Sequence, residues 1–237
     1  MTFYRQLSRY YDEIFKSNAS EMDFFIRQLH GRQDILDIAC GTGNKTVLFQ
    51  ALGRNIVGID MDQDMVNIAK QRHRAEGVAY LAVDMREIER HFAPQSFDAI
   101  LCLGNSLVHV RPLVAVQEII NQTHTLLRKG GLLIIQIINY DRIVEHNIAC
   151  LPTIETENVK FFRNYHWQNR QLHFATRLLI KKSGQELNND IVLLALRQKQ
   201  LAACLKRAGF RQCKYYGGFN GQPLEENSVP LIVTAHK

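Results

Sequence analysis

The sequence has no cysteines at metal or disulfide spacing. Its five, Cys40, Cys102, Cys150, Cys204 and Cys213, are scattered, with no Cys-x-x-Cys pair and no Cys/His cluster, so they read as reduced thiols and no zinc site is expected. Long apolar runs are missing too. The most apolar stretch, Leu132 to Ile138, is broken by Gln136 and falls far short of the roughly 18 residues a membrane span needs. Met1-Thr-Phe-Tyr-Arg-Gln-Leu-Ser-Arg-Tyr10 lacks the apolar centre of a secretory leader, so a soluble, cytoplasmic protein with no membrane partner is expected. There is no internal repeat and no low-complexity tract. Nor does one sign of charge dominate: 29 basic and 23 acidic side chains leave +6. The excess is local, because Lys160, Arg163, Arg170, Arg177, Lys181 and Lys182 occur with no acid from Lys160 to Lys182. That pattern reads as a solvated face, with attraction of an anionic substrate or nucleic acid as the alternative.

What is present is ordinary globular material, 46% apolar and 22% charged over 237 residues, enough for one large α/β domain with a small appendage. Tyr4 to Phe15 is aromatic and mixed in charge. Ser20 to His30 has helical spacing at Met22, Phe25, Ile26 and Leu29 and is closed by Gly31. Strands are predicted at Gln33–Asp37, Asn55–Asp60, Val78–Val83, Phe97–Leu103 and Leu132–Asn139. Helices alternate with them, including Lys45–Leu52, one capped by Asp62, and Pro112–Arg128 with Gly130-Gly131 at its stop. Alternation of this kind predicts a doubly wound, mainly parallel sheet.

After Asp141 the pattern changes. Val159–Trp167, Gln171–Lys182 and Asp190–Arg197 are β-rich, and Leu172, Phe174, Thr176, Leu178 and Ile180 alternate with Gln171, His173, Ala175, Arg177 and Leu179. An antiparallel β extension over the sheet's ligand edge is expected. Lys199–Ala208 then reads as a helix, and Arg211–Phe219 and Val229–Ala235 as strands with no helix between them, hence an antiparallel terminal hairpin.

The stretch that carries most information is Ile35-Leu-Asp-Ile-Ala-Cys-Gly-Thr-Gly-Asn-Lys-Thr46. It reads as a buried strand, a glycine turn and a helix, the local architecture of a cofactor-binding βα junction, with Gly41 and Gly43 as pivots. A dinucleotide fingerprint would place a third glycine where Thr46 stands, and a P-loop would need different spacing before its Lys-Ser/Thr.

Asp37-Ile-Ala-Cys-Gly-Thr-Gly43 resembles the first motif of the class I S-adenosylmethionine-dependent methyltransferases, with Ala39 where glycine is common. The resemblance implies a Rossmann-like fold, a doubly wound, mainly parallel seven-stranded sheet with an antiparallel hairpin. The methyltransferase domain would comprise residues 1–141 and 199–237, and residues 142–198 an inserted antiparallel lid or substrate subdomain. It further implies S-adenosylmethionine as cofactor, held by Asp37, Ala39, Gly41 and Gly43. Asp60 would accept both ribose hydroxyls, Met61 would lie on the adenine, Asp84 and Met85 would hold the adenine edge, and Leu103 and Gly104 would complete the set. Plainer roles exist: Asp60 can simply end a strand, Met61 fill a gap, and Asp84 cap a helix with Glu87.

Cys102-Leu-Gly-Asn-Ser-Leu-Val-His109 and Asn139-Tyr-Asp141 are similar to segments of glycine N-methyltransferases and glycine/sarcosine methyltransferases. In those enzymes an arginine that pairs with the amino-acid carboxylate precedes Asn-Tyr-Asp; here Ile138 stands there. Isoleucine makes no bidentate ion pair, so glycine is not expected as acceptor unless Arg163 or Arg177 supplies the charge. Within the likeness Asn105 orients the acceptor, His109 can take a proton, and Tyr11 can reach the cofactor carboxylate or the substrate. His109 as a structural or solvent-facing group and Tyr11 as packing are the plain alternatives.

The expected activity is methyl transfer to a small-molecule acceptor, with an amine nitrogen preferred. Transfer to a carboxylate, hydroxyl or RNA, and cofactor binding without turnover, are the alternatives. RNA is favoured only by Phe161, Phe162, Tyr165, Trp167 and Phe174 among basic residues, and neither an Asp/Asn-Pro-Pro-Tyr/Phe motif nor a Pro-Cys nucleophile accompanies them. A homo-oligomer stays open.

Overall fold

The structure is a computed structural model that describes residues 3–16 and 19–237, apart from the side chains of residues 4, 5, 19 and 20. In chain order it contains α1 (Phe3–Leu7), α2 (Tyr11–Ile14), α3 (Ala19–Gln28), β1 (Asp34–Ile38), α4 (Thr46–Gln50), β2 (Asn55–Asp60), α5 (Gln63–Arg72), β3 (Val78–Ala82) and β4 (Phe97–Cys102). There follow α6 (Leu113–Leu126), β5 (Leu127–Ile138), α7 (Tyr140–Glu145), β6 (Cys150–Glu155), β7 (Val159–Gln168), β8 (Gln171–Ile180), β9 (Gln185–Leu193), α8 (Gln198–Ala208), β10 (Arg211–Tyr216) and β11 (Pro230–His236). Short 3-10 turns occupy Met85–Arg90 and Ser106–His109.

The central strands are apolar on both faces, as parallel strands between helical layers must be. In β4, Ala99 and Leu101 pack with Phe24, Phe25 and Phe49 on one side. Ile100 and Cys102 pack with Val116, Ile120 and Leu201 on the other. The seven-stranded sheet runs β10-β11-β5-β4-β1-β2-β3. β1 pairs in parallel with both β2 and β4, and β11 is antiparallel to both β5 and β10. The expected terminal hairpin is therefore present. Chain order reverses between β1 and β4, and the crevice outside their carboxyl ends is where open α/β sheets bind ligands.

β6, β7, β8 and β9 form a second, wholly antiparallel sheet. Its inner face carries Phe161, Tyr165, Leu172, Leu178 and Ile180, all buried. Val159, Phe161, Leu178 and Ile180 pack on Leu7 and Ile14 of the N-terminal helices, while Tyr165, Leu172 and Leu193 join the main core. β6 was not expected from the sequence: only Leu151 of that edge strand is buried, and Pro152 breaks its pattern. β9 begins earlier than the expected Asp190 and ends before Arg197. Its first half is a polar edge, and Leu194 leaves the sheet to donate its N–H to Val108 O at 2.9 Å. The extension's two ends are tied together by Arg197, whose Nε donates to Asp141 Oδ1 at 2.6 Å and whose Nη2 pairs with Glu145. Among the described residues no helix is long and apolar enough to cross a membrane.

Candidate active site

The turn after β1 is built on three left-handed residues, Ala39 (φ 58°), Gly41 (φ 58°) and Gly43 (φ 77°). This explains why glycine suits position 39 and why alanine is strained there. A Cβ on Gly43 would meet the Tyr80 ring at 2.7 Å, so that glycine also serves close packing. Beneath the turn, Asp37 is 3% exposed and accepts a 2.6 Å hydrogen bond from Thr46 Oγ1. Burial raises its pKa to about 6, against the opposing Thr46 hydrogen bond and the Lys45 charge. Thr46 thus earns its place as the partner of Asp37, a pairing nine residues apart that the sequence did not reveal.

Asp60 ends β2 directly under the turn. Its Oδ2 accepts from Gly41 N and its Oδ1 from Asp62 N, both at 2.9 Å. Burial pushes its pKa up, and no ion pair to it occurs among the described residues. A carboxylate offers about four lone-pair positions, more than these backbone groups fill, which leaves Asp60 able to accept from a ribose hydroxyl. Met61 beside it is 72% exposed, an apolar platform of the kind an aromatic base covers. Two desolvated acids under one turn favour a cationic ligand and repel a pyrophosphate. The cradle therefore fits S-adenosylmethionine, whose sulfonium and amino groups are positive, better than a dinucleotide. Asp84, expected at the adenine edge, also has partners of its own. It caps the 3-10 turn through Arg86 N at 2.9 Å, and both its oxygens are taken by the Arg86 guanidinium, which holds its pKa low. Glu87 pairs with Arg90 at 2.7 Å instead of closing a capping box, while Met85 packs against the main core.

The N-terminal segment crosses this cradle. The Tyr11 ring lies 3.5 Å from a Cβ built on Gly41 and also packs on Phe15, with centroids 4.7 Å apart. Packing and proximity to the turn are therefore both true of Tyr11. Burial, then Asp60, Cys40, Asp12 and Asp37, raise its pKa far above the ordinary tyrosine value, so it is a hydrogen-bond donor and not a base. Asp12 accepts 2.6 Å from Thr42 Oγ1 and 3.2 Å from Arg72 Nη1, Asn44 Nδ2 donates to Phe15 O at 3.1 Å, and Lys45 pairs with Glu21.

On the β4 side, Leu103 is buried, and Gly104 (φ 71°) and Asn105 (φ 67°) bend the chain through left-handed backbone. Gln136, the residue that interrupts the apolar run of β5, accounts for that bend. Its Oε1 accepts from Gly104 N at 2.8 Å and its carbonyl from Asn105 N at 3.1 Å. The Asn105 carboxamide is fixed on both sides: Oδ1 accepts from Ile138 N at 2.9 Å, and Nδ2 donates to Tyr140 Oη at 3.0 Å. The Tyr140 hydroxyl also lies 3.3 Å from Oδ1, so the group Asn105 has left to orient a ligand is one Nδ2 hydrogen. His109 ends the next turn, where water reaches its ring while surrounding protein lowers its pKa by desolvation.

The extension's cations divide sharply. Arg177 pairs with Glu186 at 2.8 Å and lies over the Phe162 ring at 4.1 Å on the outer face. Lys160 and Lys181 share Glu155. Arg163 has no such partner: Nη2 donates to Pro152 O at 2.8 Å, Nε is buried without an acceptor, and burial lowers its pKa. On the same strand face, Tyr165 Oη is buried with no partner at bonding geometry. Its neighbours are the Arg163 guanidinium and the Tyr140 hydroxyl, the latter engaged with Asn105.

Comparison with known proteins agrees with this geometry. A family model described as "Methyltransferase domain" matches residues 35–131. A glycine/sarcosine N-methyltransferase of Parasynechococcus marenigrum is 32% identical over 146 residues, 59% of this chain and 51% of that protein. Another, of Aphanothece halophytica, is 28% identical over 218 residues, 88% of this chain and 80% of that one. The chain thus spans about half the length of the first and most of the second. Among solved structures, an S-adenosylmethionine-dependent methyltransferase from Clostridium acetobutylicum superposes with a TM-score of 0.82 at 16% identity, covering 99% of both chains. That likeness is one of fold.

Proposed function

We propose that this chain, which belongs to the class I S-adenosylmethionine-dependent methyltransferases, moves a methyl group to the nitrogen of a small amine that also carries a carboxylate. The observation that carries this reading is the facing pair of structures at one crevice. The Asp37–Gly43 turn with Asp60 and Met61 lies on the β1/β2 side, and Asn105, locked between Ile138 and Tyr140, lies on the β4/β5 side. S-adenosylmethionine supplies an electrophilic sulfonium methyl, which an amine lone pair takes as the carbon–sulfur bond breaks. The chain's own work is to align and to keep water out. Asp60 and Met61 hold the nucleoside end, Tyr11 donates over Gly41, and Asn105 fixes the side from which the amine approaches. His109, neutral near pH 7 because its pKa is lowered, receives the proton that the acceptor's ammonium loses before its lone pair attacks.

The carboxylate preference rests on Arg163 and Tyr165. A half-buried guanidinium without a carboxylate, beside a buried hydroxyl whose polar neighbours are that guanidinium and the Tyr140 hydroxyl, is an arrangement that a bound carboxylate would complete. It supplies from the extension the charge that Ile138 does not. The second sheet acts as a lid over the acceptor, since its inner face meets both the N-terminal helices and the core. Pairing of Lys160, Lys181 and Arg177 with acids weighs against an RNA acceptor, which needs free cations.

Initial rates with glycine, sarcosine and matched amines lacking a carboxylate test the reading. Arg163→Met is expected to raise KM for carboxylate-bearing acceptors at least tenfold while leaving the S-adenosylmethionine Kd unchanged. A KM for glycine and sarcosine that Arg163→Met leaves unchanged would remove Arg163 from acceptor recognition.

A further inference from the structure

The outer face of the second sheet gathers two imidazoles and a carboxylate from three adjacent strands. His166 on β7 stands directly opposite His173 on β8, and the rings stack with centroids 4.9 Å apart and planes at 25°. Asp190 on β9 pairs with Ala175, one same-face step along β8 from His173. Its Oδ1 lies 3.0 Å from His173 Nδ1 and its Oδ2 3.7 Å from His166 Nε2. One ligand atom from each residue lies within 4.8 Å of the others, the one such grouping of three among the described residues.

From this juxtaposition we propose that His166, His173 and Asp190 form a binding site for a divalent transition-metal ion such as zinc, separate from the methyl-transfer crevice. Metal–nitrogen and metal–oxygen bonds of about 2.0–2.2 Å place neighbouring ligand atoms roughly 3–4 Å apart, so small rotamer adjustments bring the three groups around one ion. Two imidazoles, one carboxylate and no thiolate suit zinc, nickel, cobalt or copper and not magnesium or calcium, which take all-oxygen sets. Water completes the coordination, because His166 and Asp190 are about half exposed at 46% and 47% while His173 is 19% exposed. On that face Arg177 is paired with Glu186 at 2.8 Å. The Asn164 and Asn188 amides line a shallow depression of about 340 Å³ that adjoins Asp190, offering polar groups to a coordinated water. A cysteine-based search of the sequence misses this site because its ligands meet only through strand register. The ion would cross-link β7, β8 and β9 and stiffen the sheet whose other face covers the crevice.

Calorimetric titration of the full chain with zinc, repeated with cobalt(II) followed by visible absorption, tests the site. One ion per chain is expected, with a Kd in the micromolar range and a rise in Tm on loading. His166→Ala and Asp190→Asn should each weaken binding at least tenfold and remove the Tm rise, with S-adenosylmethionine affinity unchanged, which also verifies that the variants are folded. His166→Gln guards against a packing effect and should weaken binding like the alanine variant. No zinc binding by the wild type, or equal binding by all three variants, overturns the proposal.

Discussion

Asp37 is a buried carboxylate whose ionisation works against stability. Its folded-state pKa, about 6, lies above the ordinary aspartate value near 3.9. An acid shifted upward contributes most when protonated, so its contribution is full below about pH 4 and is lost as pH rises through about 6. At pH 8 the ionised carboxylate costs about 2–3 kcal/mol. Asp37→Asn is therefore expected to raise stability at pH 8 by about that amount and to flatten the pH 4–6 part of the denaturation profile, while weakening S-adenosylmethionine binding. A variant less stable than wild type at pH 8 would show that the charge is compensated. Ala39 presents a smaller strain: at φ 58° an alanine is disfavoured by about 1–2 kcal/mol, partly offset by the freer unfolded chain of glycine. Ala39→Gly should gain about 0.5–1 kcal/mol in urea denaturation. For Asp60→Ala the expected loss is about 2–3 kcal/mol of S-adenosylmethionine affinity, or roughly 30- to 150-fold in Kd. An unchanged Kd would make the carboxylate only a prop for Gly41 and Asp62.

At the scale of elements, the N-terminal strap and the second sheet close on each other. Asp12 holds Thr42 and Arg72, and Asn158 on the extension donates to Glu13 at 3.0 Å. Asp12→Ala removes the Thr42 end of that latch, so the S-adenosylmethionine off-rate in stopped flow should rise about three- to tenfold, the equivalent of roughly one net hydrogen bond. An off-rate equal to wild type would place the strap's function elsewhere. The core strands and the glycine turn were legible in the sequence, because doubly buried strands are continuous apolar runs and the turn needs glycine. Edge strand β6 and the polar half of β9 were not, since neither carries an apolar alternation. Partners distant in sequence were equally hidden. Gln136 was visible only as a flaw in an apolar run, and its bonds to Gly104 and Asn105, across 31 or more positions, exist only in the fold. Also hidden was the contact of Asp84 with Arg86, two residues on, whose guanidinium reaches both carboxylate oxygens.

For the whole molecule, the +6 charge turns out to be finely distributed. The run from Lys160 to Lys182, free of acids in sequence, meets Glu155 and Glu186 across the sheet, while half-buried Arg163 has no acid partner among the described residues. On the proposed reading, sheet order, crevice and second sheet serve to align two small molecules and to shield them from water. The most direct test supplies S-adenosylmethionine labelled at its methyl group, with glycine, sarcosine, amines lacking a carboxylate and an RNA fraction, and follows the label by mass spectrometry. The account predicts label on the nitrogen of a carboxylate-bearing amine. Label on oxygen or RNA, or bound cofactor with no transfer to any acceptor, would contradict it.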